Sequence, residues 1–250
     1  MKTLNLVPPN KGVEREYKKK LDKLVDAMSK SVMYWLLVDY GGRTAKQVAT
    51  ELQKRVKQWK KVFGKESDKI AEWFVKTTKK HTNDGMKKAF ADAGLKMKRG
   101  ISLNTEKAIE IENQDLIESI PEKYFTGVET VAMLAMLYAW KKTDLTKELE
   151  KRYNITMRRV KVIAADQTHK TTELFKRDIC ENNNIREAKW VYTYRSEKPR
   201  ESHIMMDGQI FDLDKGALTP EGDAFIMPGQ LINCKCDFRP IIREFGDEEE

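Results

Sequence analysis

Four side chains in the C-terminal part of the chain have the chemistry of metal ligands. His203 and Asp207 are four positions apart, so on a helical turn their side chains would point the same way. Cys234 and Cys236 are two positions apart, so in an extended segment they would share one face. Two such pairs can close a tetrahedral zinc site from two thiolates, an imidazole and a carboxylate. The spacing therefore predicts a structural zinc site made of these four residues.

Other interpretations of the same residues stay open. Asp207 precedes Gly208, and an Asp-Gly pair is common in turns; the cysteines would then pack in a sheet, and His203 would hydrogen bond to a loop. A catalytic metal would instead make the chain a metal-dependent hydrolase or nuclease. Such a site keeps one position for water, whereas four protein ligands close it and no spare general base is evident. We therefore predict no catalytic residue and no enzymatic activity.

The cysteine count and the hydropathy pattern limit the class of protein. Three cysteines are an odd and small number, which does not indicate a disulfide framework. Cys234 and Cys236 are too close for an unstrained bridge, so a reducing compartment or a metal is indicated. No apolar run of about 18 residues predicts a transmembrane helix, and the first ten residues lack the apolar core of a secretory signal. We therefore predict no membrane anchor.

The first two thirds of the sequence have the apolar spacing of amphipathic helices. One helix is predicted to end at Gly41-Gly42 and the next to run from Thr44 to Gly64. Ser67 is expected to cap a third helix, which breaks near residues 83–85. Pro121 is expected to open a further helix and Thr156 to cap a longer one, with Asn182, Asn183 and Asn184 as its C-terminal stop.

The period then changes to two, which is typical of a half-buried strand. Ala188, Trp190, Tyr192 and Tyr194 alternate with polar neighbours, a short helical segment carries His203, and residues 209–211 and 232–242 are further strand candidates. The predicted fold class is α+β: an N-terminal helical hairpin or bundle, then a mixed domain of helices and a small C-terminal β-sheet. The expected division is a basic helical domain at 1–110, the mixed domain at 111–243, and an acidic, disordered tail at 244–250.

The net charge of +8 is unevenly distributed. Residues 1–100 hold 25 Lys and Arg against 11 Asp and Glu, whereas the remaining residues hold 22 against 28. A basic half next to an acidic half indicates contact with a polyanion, and double-stranded DNA bound without sequence preference is the first candidate. A solvated, lysine-rich helical surface would give the same counts, so charge alone does not decide.

From Asn113 onward, the order of motifs resembles the phage head morphogenesis family, the Mu F-like minor head proteins. The most specific elements are His203 leading to Asp207-Gly208, and Asn233-Cys234-Lys235-Cys236. The Asp166-Gln167 pair and Arg200 also fit the pattern, although Ala165 stands where the family commonly has Arg. The matching pieces are residues 116–121, 163–168, Trp190, 200–203, 206–211, 228–229, 233–236 and Pro240.

The resemblance implies a role for the chain and for its motif residues. It implies a minor capsid protein of a tailed bacteriophage, made in the host cytoplasm and placed in the capsid interior near the portal vertex. Its partners would be the portal protein, the major capsid protein or scaffold, and DNA during packaging or delivery. Asp166, Gln167, Arg200, Gly208 and Asn233 would be structural motif residues. A simple DNA-binding scaffold protein is the remaining alternative.

Overall fold

The computed structural model describes residues 2–38, 40–194 and 199–243; the predicted acidic tail at 244–250 lies outside them. The long helices are α1 (Lys11–Val38), α2 (Ala45–Asp92), α3 (Leu103–Leu137) and α4 (Lys142–Asn182). The shorter elements are β1 (Lys2–Thr3), β2 (Glu187–Val191), α5 (Glu201–Met205), β3 (Ile210–Asp212), β4 (Ala217–Leu218), β5 (Phe225–Ile226) and β6 (Asp237–Ile242). The fold class is α+β, as the sequence predicts.

Helix α1 follows its amphipathic pattern. Asn10 starts it, because its side-chain oxygen accepts hydrogen bonds from the N–H groups of Gly12 at 2.8 Å and Val13 at 3.3 Å. The helix then buries one apolar stripe spaced three or four residues apart, which is the spacing of one helical face. Its fully buried members are Tyr17, Leu21, Val25, Met28 and Val32.

Helix α2 is continuous where the sequence predicts a stop at Gly64 and a break at 83–85. Ser67 is not a cap: it is buried inside the helix, and its hydroxyl donates to the carbonyl oxygen of Gly64 at 2.9 Å. A glycine in a helix costs only about 1 kcal/mol. Burial of apolar side chains before and after these positions outweighs that cost; they include Phe63, Ile70, Phe74, Met86, Ala89 and Phe90.

Two helices predicted to begin at Pro121 and Thr156 begin earlier in the structure, as parts of α3 and α4. Pro121 lies inside α3, where its buried neighbours Ile120, Tyr124 and Phe125 stabilise the helix across it. Thr156 lies inside α4, and its hydroxyl donates to the carbonyl oxygen of Arg152 at 3.0 Å instead of capping. The predicted stop is confirmed, because α4 ends at Asn182 and Asn184 takes a left-handed φ of 60°.

The sheet brings both ends of the chain together. Its strand order is β1-β6-β2-β3 with antiparallel pairing, and β4 and β5 form a separate hairpin. Trp190 of β2 lies opposite Phe238 of β6, and Ala188 lies opposite Pro240. The expected strand at Ala188–Tyr194 is shorter than predicted and ends at Val191, while the expected strand at 232–242 begins only at Asp237.

The described residues form two compact units made of separated segments. The first comprises Met1–Glu14, Phe74–Ile109 and Ala165–Glu250, and the second Arg15–Trp73 and Glu110–Ala164. The sheet, β4, β5 and α5 belong to the first unit, whose apolar core includes Trp190 and Phe211. The division at 1–110 and 111–243 stays a prediction. Among the described helices, none has an apolar stretch of the length needed to cross a bilayer.

Candidate metal centre

Three of the four predicted ligands meet in the first unit. His203 lies on α5, and Cys234 and Cys236 lie in the segment that leads into β6. All three are buried, with at most 3% of their surface exposed. A turn places the cysteines: the N–H of Cys234 donates to the carbonyl oxygen of Leu231 at 2.9 Å, and Asn233 takes a left-handed φ of 62°.

The imidazole of His203 faces both sulfurs. Its Nδ1 atom lies 3.5 Å from Sγ of Cys234 and 3.4 Å from Sγ of Cys236. One ligand atom from each of the three residues falls within 4.8 Å of the others. Two thiols and an imidazole at these distances can share protons or hold one thiophilic metal ion.

Asp207 is not part of this cluster, although the sequence predicts it as a fourth ligand. Helix α5 ends at Met205, so the four-residue spacing from His203 does not continue on a helical face. The carboxylate of Asp207 accepts a hydrogen bond from the N–H of Tyr192 at 2.9 Å. Gly208 continues the chain with a φ of 84°, and its N–H donates to the carbonyl oxygen of Trp190 at 3.0 Å. The Asp-Gly pair thus forms the turn that leads from α5 to β3.

Trp190 forms one wall of the cluster. Its ring is nearly perpendicular to that of His203, with centroids 5.5 Å apart, and the ring of Phe211 packs against Trp190 with a centroid distance of 6.0 Å. A hydrogen bond from the Trp190 side chain acts to lower the pKa of Cys236, whereas Nε2 of His203 is buried without a hydrogen-bond partner among the described residues. The fully buried indole ring of Trp190 therefore encloses the cluster on one side.

The two thiols differ in acidity. The hydrogen bond from Cys236 lowers the pKa of Cys234, and His203 and the N–H of Gly229 act in the same direction against the effect of burial. The same thiol-thiol hydrogen bond, together with burial, raises the pKa of Cys236. Hydrogen bonding within the pair therefore shifts the pKa values of the two thiols in opposite directions.

The other predicted motif residues surround the same segment. The carboxylate of Asp166 on α4 accepts the N–H of Asn233 at 2.6 Å, and burial raises its pKa. Arg200 precedes α5 and donates from Nη2 to the carbonyl oxygen of Ile232 at 2.9 Å. Gln167 is buried on α4. Asp166 and Arg200 therefore fix the backbone just before the cysteines.

A buried polar cluster on α4 is absent from the sequence prediction. The Nε2–H of His169 donates to the carbonyl oxygen of Cys236 at 2.8 Å, and burial lowers the pKa of this histidine. Nζ of Lys176 lies 2.8 Å from Glu173 and also contacts Asp237 at the start of β6. The sequence does contain a signal for this cluster. His169, Glu173 and Lys176 are three or four positions apart, as residues on one helical face are, and they lie among apolar residues.

The charge state of this cluster follows from burial. Both Lys176 and Glu173 are almost fully buried. Burial, and then the neighbouring Asp237, raise the pKa of Glu173 well above its usual range. Asp237 and Glu173 together raise the pKa of Lys176 in spite of burial. Lys176 thus contacts two buried carboxyl groups, and burial opposes the ionisation of Glu173.

The motif residues around this cluster lie in the part of the chain that is similar to a known family. Residues 127–239 match the sequence model of the family described as phage Mu protein F like protein, and this match confirms the predicted resemblance to the phage head morphogenesis family. The matched segment includes His203, Cys234 and Cys236. The family is one of structural phage head proteins.

One relative extends the comparison. An uncharacterized protein of Haemophilus influenzae (strain ATCC 51907 / DSM 11121 / KW20 / Rd) is 29% identical over 188 residues, which cover 71% of this chain. The aligned part spans only 40% of that relative's length. No solved structure matches the chain.

Proposed function

We propose that this chain is a minor head protein of a tailed bacteriophage that associates with the portal protein during head assembly. The observation that carries the proposal is the match of residues 127–239 to the Mu F-like family. The partners on this proposal are the portal protein and the major capsid protein or scaffold, and the location is the capsid interior near the portal vertex.

Copurification tests the portal association. The full chain would be coexpressed with the portal protein of the same phage, with affinity purification through a tag on the portal. We expect the chain to be retained with the portal and not with the major tail protein, expressed in the same way as a control. Equal recovery with both baits, or none with the portal, would contradict the proposal. A simple DNA-binding scaffold protein would give the latter result.

We further propose that the basic part of the chain contacts double-stranded DNA during packaging or delivery. In the second unit, α2 presents exposed lysines at Lys54, Lys57, Lys61 and Lys65. Positions separated by three or four residues lie on one helical face, so these four ammonium groups follow a line of about 16 Å along the axis. A row of cations of this length can neutralise several phosphates without reading sequence.

A salt titration of DNA binding by the full chain tests this part. Each phosphate contact contributes about 0.9 to the slope of log affinity against log salt. Changing the four lysines to Gln should therefore reduce the slope by up to about 3.6. The matched control changes four other exposed lysines of the same unit to Gln: Lys141, Lys142, Lys147 and Lys161. Equal effects of both variants, or no binding at low salt, would contradict the proposal.

A metal-dependent hydrolase has less support from the site. Three protein ligands do leave one position for water, as in catalytic zinc sites. However, His203, Cys234 and Cys236 are buried to at least 97%, and the rings of Trp190 and His203 are in contact. A polymeric substrate could not reach a metal-bound water there. The geometry favours a structural centre in a head protein.

A further inference from the structure

We propose that His203, Cys234 and Cys236 bind one zinc ion, with Nδ1 and the two sulfurs as its three protein ligands and without Asp207. This inference rests on the geometry of the first unit and does not depend on the phage function. The site predicted from spacing had four protein ligands, whereas this one has three. Asp207 is not a ligand here and accepts a hydrogen bond from the N–H of Tyr192 instead.

The distances match a tetrahedral centre. With Zn–S bonds of about 2.3 Å and a Zn–N bond of about 2.05 Å, the sulfur-to-nitrogen edge of a tetrahedron is about 3.6 Å. The two edges from Nδ1 of His203 measure 3.5 Å to Cys234 and 3.4 Å to Cys236. Two of the three edges thus have the required length, and the three ligand atoms all lie within 4.8 Å of one another.

A pair of hydrogen-bonded thiols explains the arrangement less well. An unprotonated imidazole nitrogen has one lone pair, so Nδ1 can accept one S–H hydrogen bond, yet two sulfurs lie almost equally far from it. Nearly equal distances are expected where all three atoms bind one central ion. Two thiolates and a neutral imidazole also balance the charge of Zn²⁺, which a buried site requires.

The surroundings resemble the outer shell of a thiolate metal site. The N–H of Gly229 donates toward Sγ of Cys234 at 3.4 Å, and hydrogen bonds of this kind stabilise a ligating thiolate. His169 holds the backbone of Cys236 through the carbonyl oxygen at 2.8 Å. The ligands are therefore fixed from outside before an ion binds.

The ion would fasten α5 to the segment before β6. His203 and Cys234 are 31 positions apart, and α5 has only five residues, too few for a helix to be stable by itself. A metal bound only by the folded chain stabilises the fold by mass action. Removal of zinc by a chelator should therefore lower the melting temperature of the full chain.

Metal analysis of the purified full chain tests the proposal. We expect about one zinc per chain in the parent protein and loss of at least about nine tenths of it in the Cys234→Ser/Cys236→Ser variant. Two matched controls should keep the zinc. Cys180→Ser removes a buried cysteine outside the cluster, and Asp207→Asn removes the carboxylate that spacing alone would make a ligand. Zinc retained by the double variant, or lost in Asp207→Asn, would overturn the three-residue assignment.

A spectroscopic measurement on the unaltered chain covers the case in which the double variant does not fold. Cobalt(II) added after zinc removal should give a thiolate-to-metal charge-transfer band in the near ultraviolet and strong visible bands of a four-coordinate ion. Stoichiometric zinc would then displace both sets of bands. Absence of the charge-transfer band would overturn the proposal, because cobalt bound by the sulfurs of Cys234 and Cys236 must give that band.

Discussion

Nδ1 of His203 lies 3.4 Å from Sγ of Cys236, although 33 positions separate the two residues in the chain. Helix α5 supplies the imidazole and the segment before β6 supplies the thiol, so the contact joins two elements that have little regular structure of their own. Both lie against Trp190 of β2, whose partner across the sheet is Phe238. The centre thus depends on the sheet for its position.

Two glycines of α2 should respond to alanine in opposite directions. A Cβ at Gly64 would be in ordinary contact at 3.7 Å with an oxygen of Glu118, whereas a Cβ at Gly85 would lie 2.5 Å from Cγ1 of Val7. We expect Gly64→Ala to stabilise the chain by up to about 1 kcal/mol through helix propensity. We expect Gly85→Ala to destabilise it by about 1–3 kcal/mol through overpacking. Urea unfolding would measure both.

A compensating change separates overpacking from other effects at Gly85. Shortening the neighbour in the Val7→Ala/Gly85→Ala variant should recover part of the loss, because the clashing methyl group is absent. If the losses of unfolding free energy in the two single variants simply add in the double variant, the close approach of Val7 does not explain the effect of Gly85→Ala.

Gly229 is expected to be more sensitive to alanine than Gly222. Both have a left-handed φ, 78° and 73°, but a Cβ at Gly229 would lie 2.9 Å from Cγ of Glu173, whereas nothing lies within 4 Å at Gly222. Gly222→Ala should cost about 1 kcal/mol for its backbone conformation alone. Gly229→Ala should cost about 1–3 kcal/mol more. Equal losses in chemical denaturation would show that the contact with Glu173 adapts freely.

The ion pair of Lys176 should matter far more than a pair near the surface. Lys176→Met leaves the carboxylate of Asp237 buried without its cation, and breaking a buried pair in this way costs about 3–5 kcal/mol. Lys79→Met breaks the partly exposed pair with Glu106 in the same unit, where about 0–1 kcal/mol is expected. Thermal unfolding near pH 7 would compare the two variants. Similar losses would show that the Lys176–Asp237 pair is screened by solvent.

Protonation of Glu173 should make stability fall with rising pH. Burial raises the pKa of Glu173 above the ordinary value of 4.5, so above that pH the folded chain keeps a proton that the unfolded chain has lost. Stability then decreases until the raised pKa is reached. Glu173→Gln keeps the shape without the proton, so its stability relative to the parent should increase from pH 5 to pH 8.

The exposed Glu150 on α4 provides the control for this pH effect. The difference in unfolding free energy between Glu150→Gln and the parent should be nearly constant over the same range, because its carboxyl group is in solvent in both states. A constant difference for Glu173→Gln as well would mean that the folded chain does not hold the proton.

Side-chain periodicity determined the α+β class, the amphipathic stripe of α1, the end of α4 at the asparagines, and the strand that carries Trp190. These features are encoded within a few neighbouring residues, because the alternation of apolar and polar side chains indicates which face of a helix or strand is buried. The motif order likewise identified the family that residues 127–239 match. Spacing also selected His203, Cys234 and Cys236 as candidate ligands.

Only the tertiary structure decided the features that depend on packing between distant segments. Gly64, residues 83–85 and Pro121 interrupt no helix, because local preferences of a few kcal/mol are outweighed by burial of the apolar side chains before and after them. Asp207 lies outside the cluster of His203, Cys234 and Cys236, because α5 ends before it. Glu173, Lys176 and Asp237 became one cluster because folding places a face of α4 against β6, which no local pattern specifies.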